Sequence, residues 1–305
     1  MRVLFAIDGS VHSLEAVGQI GLLLTPGRDE VAFYCSPPEF HLQANNISSD
    51  VIAHARQGLA DSIFNEARTR LPTLLQDRVH RIVGTRDPRS GIVAAAEQWP
   101  ADLMVVGARG LGRFDRLLLG SVSRAVVHAA KIPVWVARSK PPVPHEKRRI
   151  LVACENPETG RPAVDLLARF SWPPKSTACA LTVIASQFGG RVPDWLLEQA
   201  RSPEAEHAVQ LWIKEHDAEL RVNSARLSEL IKSLPFGFPT CQPLVAEGDP
   251  AGEILKAAAE QQADLIVVGV HRQGFLSSLV PGSTSEAVLN HAECSVLTVP
   301  HRELP

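Results

Sequence analysis

Short uninterrupted apolar runs alternate along this chain with longer stretches whose apolar positions recur at helical spacing. VLFAI at 3–7 and LMVV at 103–106 are runs of the first kind. Parallel strands covered by helices on both faces read this way, because neither face meets water. The pattern predicts strands at Val3–Ile7, Val31–Cys35, Arg78–Val83, Leu103–Val106 and Val134–Ala137. Helices are expected near His12–Leu24, Asp50–Leu71, Arg89–Glu97 and Ser121–Ala130. Strand–helix alternation of this kind calls for an α/β fold with a parallel sheet between helical layers.

The second half repeats the order. Strands are expected at Ile150–Cys154, Ala178–Ile184, Cys241–Val245, Leu265–Val268 and Val296–Val299, with a longer helix around Glu204–Ser233. RVLFAIDGS at 2–10 answers RILVACENP at 149–157. DPRSGI at 87–92 answers DPAGEI at 249–254, and ADLMVVG at 101–107 answers ADLIVVG at 263–269. The stretch RSKPPVPHEKRR at 138–149 is rich in Pro and charge without apolar periodicity, which marks a linker. The division is a first domain at 1–138, a linker at 139–148 and a second domain at 149–305. QFGGRVPDWLLEQARSP, ahead of the long helix, is an insertion in the second copy, and its Trp195, Leu196 and Leu197 read as core or interface packing, with the lining of an apolar ligand pocket as the alternative.

A net charge of -2 and a pI near 6.6 give no broad basic surface, so no nucleic-acid partner is expected. No apolar run approaches the ~20 residues of a spanning helix, and MRVLFAID has the layout of a strand, not of a signal peptide. The expected location is the cytoplasm. The five cysteines, Cys35, Cys154, Cys179, Cys241 and Cys294, are odd in number and form no C-x-x-C, so they read as reduced structural thiols. The histidines make no ligand spacing, and no metal site is expected.

Candidate chemistry gathers at two strand ends of the first copy, where α/β sheets bind ligands. Asp8 follows the first strand. Gly107 follows the fourth and opens a loop of the form Gly107-x-x-Gly110-x9-Gly120-Ser121-x-Ser123. Gly107 and Gly110 permit close backbone approach and positive φ. Gly120-Ser121 precedes a helical pattern whose free N–H groups and dipole suit phosphate. Ser121 and Ser123 add hydroxyls, and Arg109 (with Arg113 and Arg116 as weaker candidates) adds cationic charge. Asp8 is an acceptor for a sugar hydroxyl or a base amino group. Taken singly, Gly-Ser is an ordinary helix cap and each arginine a solvated charge. No P-loop and no dinucleotide fingerprint is present. Asp102 and Asp264 read as caps or turns before their strands, and Asp87-Pro88 and Asp249-Pro250 as helix starts.

The loop, its leading ADLMVVG, its trailing VSRAV and the repeated scaffold resemble the universal stress protein family, and the resemblance covers both copies. It implies two tandem, five-stranded, doubly wound parallel-sheet domains of the adenine nucleotide alpha hydrolase-like kind, with strand order 3-2-1-4-5. It implies that the loop holds the phosphates and ribose of ATP or a related adenine nucleotide, with or without Mg2+, and that the aspartate after the first strand contacts the nucleoside. The matching positions are Asp8, Gly107, Arg109, Gly110, Gly120, Ser121 and Ser123. Val106, Val122 and the neighbourhood of Ser36 would contact the base or the loop.

In the second copy Arg272 stands where the first has Gly110, Pro281 precedes Gly282, and Glu155-Asn156-Pro157 replaces Asp8-Gly9-Ser10. An arginine side chain there obstructs a phosphate lying on the backbone, so this loop reads as degenerate; His271 and Arg272 as cations for some other anion are the opposing reading. The function expected is nucleotide binding as a regulatory switch under stress, acting on an unknown protein partner. No residue is assigned to catalysis. Slow hydrolysis needs a group that positions water, and Asp115 is the weak candidate. A nucleotide-independent scaffold sits poorly with an intact first loop. The edge strands PVWVA and SVLTV need cover and are expected to pair the two copies as a pseudo-dimer, with a further homodimer of chains.

Overall fold

A computed structural model describes residues 1–38, 49–85, 87–110, 119–138, 147–184, 203–234, 243–271 and 283–301. In the first half β1 (Arg2–Ala6), β2 (Glu30–Cys35), β3 (Val79–Val83), β4 (Leu103–Gly107) and β5 (Val134–Ala137) follow the apolar runs. Between them lie α1 (Val11–Gly21), α2 (Ser49–Arg70), the short α3 (Thr73–Gln76), α4 (Pro88–Gln98) and α5 (Ser121–Ala129). The second half has β6 (Arg149–Ala153), α6 (Pro157–Leu167), β7 (Thr177–Ile184), α7 (Pro203–Lys232) and β8 (Leu244–Glu247). It closes with α8 (Pro250–Glu260), β9 (Leu265–His271), α9 (Ser283–His291) and β10 (Ser295–His301). β8 starts later than the sequence pattern placed it, because Pro243 has no N–H to give a ladder. Cys241 and the Trp195–Leu197 segment lie outside the described residues.

The strands form one ten-stranded sheet in the order β3-β2-β1-β4-β5-β10-β9-β6-β7-β8. Each half keeps the order 3-2-1-4-5 with parallel pairing, as expected. The two halves are not separate sheets, however. β5 and β10 pair antiparallel, Trp135 opposite Leu297 and Val136 opposite Val296, so each covers the other's open edge.

Alternation along the strands divides the core between two layers. Val3, Phe5, Phe33 and Val105 face α1 and α2, while Leu4, Met104 and Val106 face α4 and α5. The first layer runs across the seam. Trp135 meets the Phe170 ring edge-on at 5.6 Å and stacks on Trp172 at 6.4 Å. Ser171 N–H donates to the Leu23 carbonyl at 2.8 Å, and Arg169 pairs with Asp102 at 3.1 Å.

Asp102 and Asp264 have a more specific task than a cap. Each accepts the first N–H of the neighbouring central strand, Arg2 at 2.7 Å and Arg149 at 2.9 Å. Asp87 and Asp249 cap α4 and α8, with proline at the first helical position, as expected. Burial alone would raise the Asp102 carboxyl, but the Arg2 N–H and the Arg169 guanidinium outweigh it and hold it below the usual carboxylate range. A carboxyl depressed by folding adds stability that is complete above its unfolded pKa, about 3.9, and lost as pH falls through the folded value. Asp102→Asn is therefore expected to lower the denaturant midpoint at neutral pH, with the gap from wild type closing below about pH 3. A gap of constant size would show that the contribution is not electrostatic.

Candidate functional site

The C-terminal ends of β1, β2 and β4 and the first turns of α4 and α5 surround a cavity of about 850 Å³. Asp8, Ser36, Val106, Gly107, Arg109, Gly110, Gly120, Ser121, Val122 and Ser123 all border it. That volume lies within the range of small-ligand sites, roughly 300–1,000 Å³.

Asp8 is anchored on one side. Its Oδ1 accepts from Ser10 N–H at 3.0 Å and from the Ser10 hydroxyl at 2.6 Å, and Ser10 also caps α1. Its Oδ2 faces Gly110, where a Cβ would stand 2.5 Å away. A Cβ on Gly107 would lie 3.0 Å from the Arg109 carbonyl, and one on Gly120 would lie 3.2 Å from the Ala108 carbonyl. None of these three glycines has a positive φ; among the described residues that conformation belongs to Gly9, Gly27, Gly248 and Gln262. The positive φ that Gly107 and Gly110 would permit is thus not used at these positions. The loop needs glycine for space.

α5 begins at Gly120, which offers no side chain to its first-turn N–H groups. Those donors, with the exposed Ser121 hydroxyl, form a small positive end at the cavity wall. Ser123 departs from expectation. Its hydroxyl donates to the Gly107 carbonyl at 2.6 Å, so it ties the loop to the helix instead of offering that hydrogen to a ligand. Arg109 brings a guanidinium whose Nε is buried without a hydrogen-bond partner among the described residues. The buried Arg138 donates from Nη2 to the Leu289 carbonyl of α9 at 2.6 Å; burial, and then the Arg109 charge, push its pKa down. Arg113, Arg116 and Asp115 lie outside the described residues.

Several lining residues escaped the sequence reading. Tyr34 sits under the cavity with Ser36 beside it, its hydroxyl buried without a partner of good hydrogen-bond geometry. That hydroxyl is 2.1 Å from where a Gly84 Cβ would be, so Gly84 is required for space. An apolar run hides such a tyrosine. Arg124 and His128 also line the wall, three and seven positions after Ser121 on one face of α5. Helical spacing counted from the Gly-Ser signal would have found them. Both reach the second half. Arg124 Nε lies 3.3 Å from Glu286 and its Nη2 2.9 Å from Asn290 Oδ1, while His128 Nε2 lies 2.9 Å from Glu286.

The corresponding place in the second half is built differently. Asn156 and Thr159 close a reciprocal cap on α6, with Asn156 Oδ1 accepting Thr159 N–H at 2.9 Å. Among the described residues a Cβ on Gly269 would meet nothing within 4 Å, in contrast to the crowding at Gly107. Ser285 repeats the Ser123 tie, donating to the Gly269 carbonyl at 2.9 Å. Arg272, Pro281, Gly282 and the His271 side chain lie outside the described residues. Burial, reinforced by the Asp8 charge, pushes the Cys35 thiol up to about 11. Burial pushes Cys154 up to about 11 against a hydrogen bond from Thr182. Both therefore stay protonated and weakly nucleophilic at neutral pH.

A sequence model of the universal stress protein family matches residues 1–138 and 147–300. A universal stress protein of Mycolicibacterium smegmatis is 27% identical over 214 residues, which are 65% of this chain and 62% of that one. A Thermus aquaticus protein, described as a universal stress protein in the QAH/OAS sulfhydrylase 3′ region, is 44% identical over 63 residues, 21% of this chain and 46% of that one. This chain thus spans less than two thirds of either relative. In fold it is similar to a universal stress protein from Archaeoglobus fulgidus, which aligns over 98% of both chains at 20% identity with a TM-score of 0.63.

Proposed function

Because this chain belongs to the universal stress protein family, we propose that its first domain, 1–138, binds ATP or a related adenine nucleotide and acts as a regulatory switch. After a linker at 139–148, the second domain, 149–305, carries a site that no longer binds nucleotide. The observation that carries this reading is one cavity bordered by Asp8, Ser36 and the described candidates of the loop and α5, with the open first turn of α5 and an Arg109 Nε that has no partner among the described residues at the loop side. Ala6, Ile92 and Val106 offer an apolar bed for a base. Asp8 Oδ2 is available to a sugar or base hydrogen, and the α5 terminus and Arg109 take the phosphates. When Mg2+ accompanies the nucleotide, the phosphate oxygens carry it.

Binding is preferred to hydrolysis because Asp8, the sole carboxylate among the described residues lining the cavity, is already engaged by Ser10. A water-positioning group would have to be a different residue. The switch follows from α5, whose first turn meets the ligand while its Arg124 and His128 hold the second half. The reading extends to a cytoplasmic location and an unidentified protein partner. A homodimer of chains would need another surface, since β5 and β10 are used on each other; a monomer in light scattering removes that part.

The test is to denature freshly purified protein, identify the released nucleotide by chromatography and count it per chain. About one adenine nucleotide per chain is expected, in line with one working site of two. Two per chain would overturn the loss of the second site. None, with no uptake after adding ATP and Mg2+, would overturn the reading and leave a nucleotide-independent scaffold.

A further inference from the structure

Two residues of α5 that line the cavity are held from outside it by the other half of the molecule. Arg124 and His128 line the cavity one and two turns beyond Ser121, and both are engaged by a single carboxylate, Glu286 of α9. Asn290, one turn further along α9, accepts from Arg124 at 2.9 Å and lies 3.5 Å from Glu286 Oε1. Arg124 stands in the VSRAV that trails the loop, while His128, Glu286 and Asn290 lie outside that motif. All four side chains of the cluster are partly open to solvent, with side-chain exposures of 45% for Arg124, 34% for His128 and 28% for Glu286. A pair this exposed holds weakly and exchanges readily with another anion.

We propose that Glu286 is the specificity-determining residue that makes the first-half site sensitive to ligand charge. It occupies the cations of α5 when the site is empty, and the phosphate chain of a bound nucleotide competes with it for Arg124. A multiply charged ligand draws Arg124 toward the cavity and loosens the α5–α9 contact, whereas an uncharged nucleoside leaves that contact alone. By linkage, whatever the ligand takes from the contact between the halves, loss of that contact returns to the ligand. This rests on the nucleotide reading above and adds to it how occupancy reaches the second half.

The experiment compares Glu286→Gln with the wild-type full chain by calorimetric titration with ATP, AMP and adenosine. Removing the one negative charge that competes for Arg124, in a screened and wet setting, is expected to tighten ATP about three- to tenfold. AMP should gain less, and adenosine should change by less than about twofold. In Arg124→Gln, ATP binding weakens, and Glu286→Gln added to it brings no further gain. Equal changes for ATP and adenosine, or a gain that persists without Arg124, would overturn the proposal and leave Glu286 as a positioning residue for α5. If wild type takes up none of the three ligands, the nucleotide reading itself has failed. Binding that is present but indifferent to Glu286 fails this inference alone. Should Glu286→Gln fold poorly, Asn290→Ala, which frees Arg124 from its second partner, is expected to change ATP affinity in the same direction by about twofold; no change there is an overturning result.

Discussion

Gly110→Arg should empty the first-half site while leaving the fold intact. A Cβ at this position would stand 2.5 Å from Asp8 Oδ2, closer than real Cβ contacts come. Asp8 cannot simply turn aside, because its other oxygen is held by the Ser10 hydroxyl at 2.6 Å and the Ser10 N–H at 3.0 Å. Moving it breaks both bonds and withdraws the acceptor proposed for the nucleoside. Such a hydrogen bond to a charged group is worth about 1.5–3 kcal/mol, so a loss of about 10- to 150-fold in ATP affinity is expected from this contact alone. The remainder of the arginine would then lie where the phosphates pass. Stability should fall by no more than the loss of the Asp8–Ser10 bonds, about 1.5–3 kcal/mol each, since Gly110 is exposed and has no positive φ that a side chain would strain. Calorimetric titration together with a melting curve separates the two effects. Gly110→Ala is informative beside it, because the clash begins at Cβ; an alanine variant that binds like wild type would remove Asp8 from the explanation. The same comparison bears on the second half, whose sequence already carries Arg272 at the matching place.

Trp135→Ala is expected to be the most damaging single change to stability. Trp135 is 5% exposed, lies on β5 opposite Leu297 of β10, and touches Phe170 and Trp172. Truncating a buried tryptophan removes about 3–5 kcal/mol. Here the void opens at the seam, where both halves lose packing at once. In urea the wild type should unfold with its halves coupled, while the variant should unfold earlier and in separated steps. A loss below about 1 kcal/mol would show that the aromatic trio fills space without joining the halves.

Much of the fold was legible in the sequence, and for an identifiable reason. The apolar runs at 3–7 and 103–106 are strands because both of their faces are buried, and an uninterrupted run records that locally. Asp87-Pro88 starts a helix because its side chain and its missing N–H act within a turn. The repeat, the linker and the loop spacing are likewise properties of neighbours along the chain. Spacing also brought Asp8 and the loop together in one cavity, since both follow strands that lie side by side.

Tertiary structure decided what depends on approach between distant segments. Gly110 is needed because of Asp8, about one hundred residues earlier, and not because of its own backbone angle. The Ser123 hydroxyl goes to the Gly107 carbonyl once the start of α5 meets the end of β4. Tyr34 can stand under the cavity only because Gly84, just past the end of the neighbouring strand β3, leaves it room. Glu286 stands beside the first cavity because β5 and β10 pair antiparallel and bring α9 against α5. Hydrophobic periodicity records whether a residue is buried; it does not record what it is buried against, and both steric fit and charge pairing are set by that second quantity.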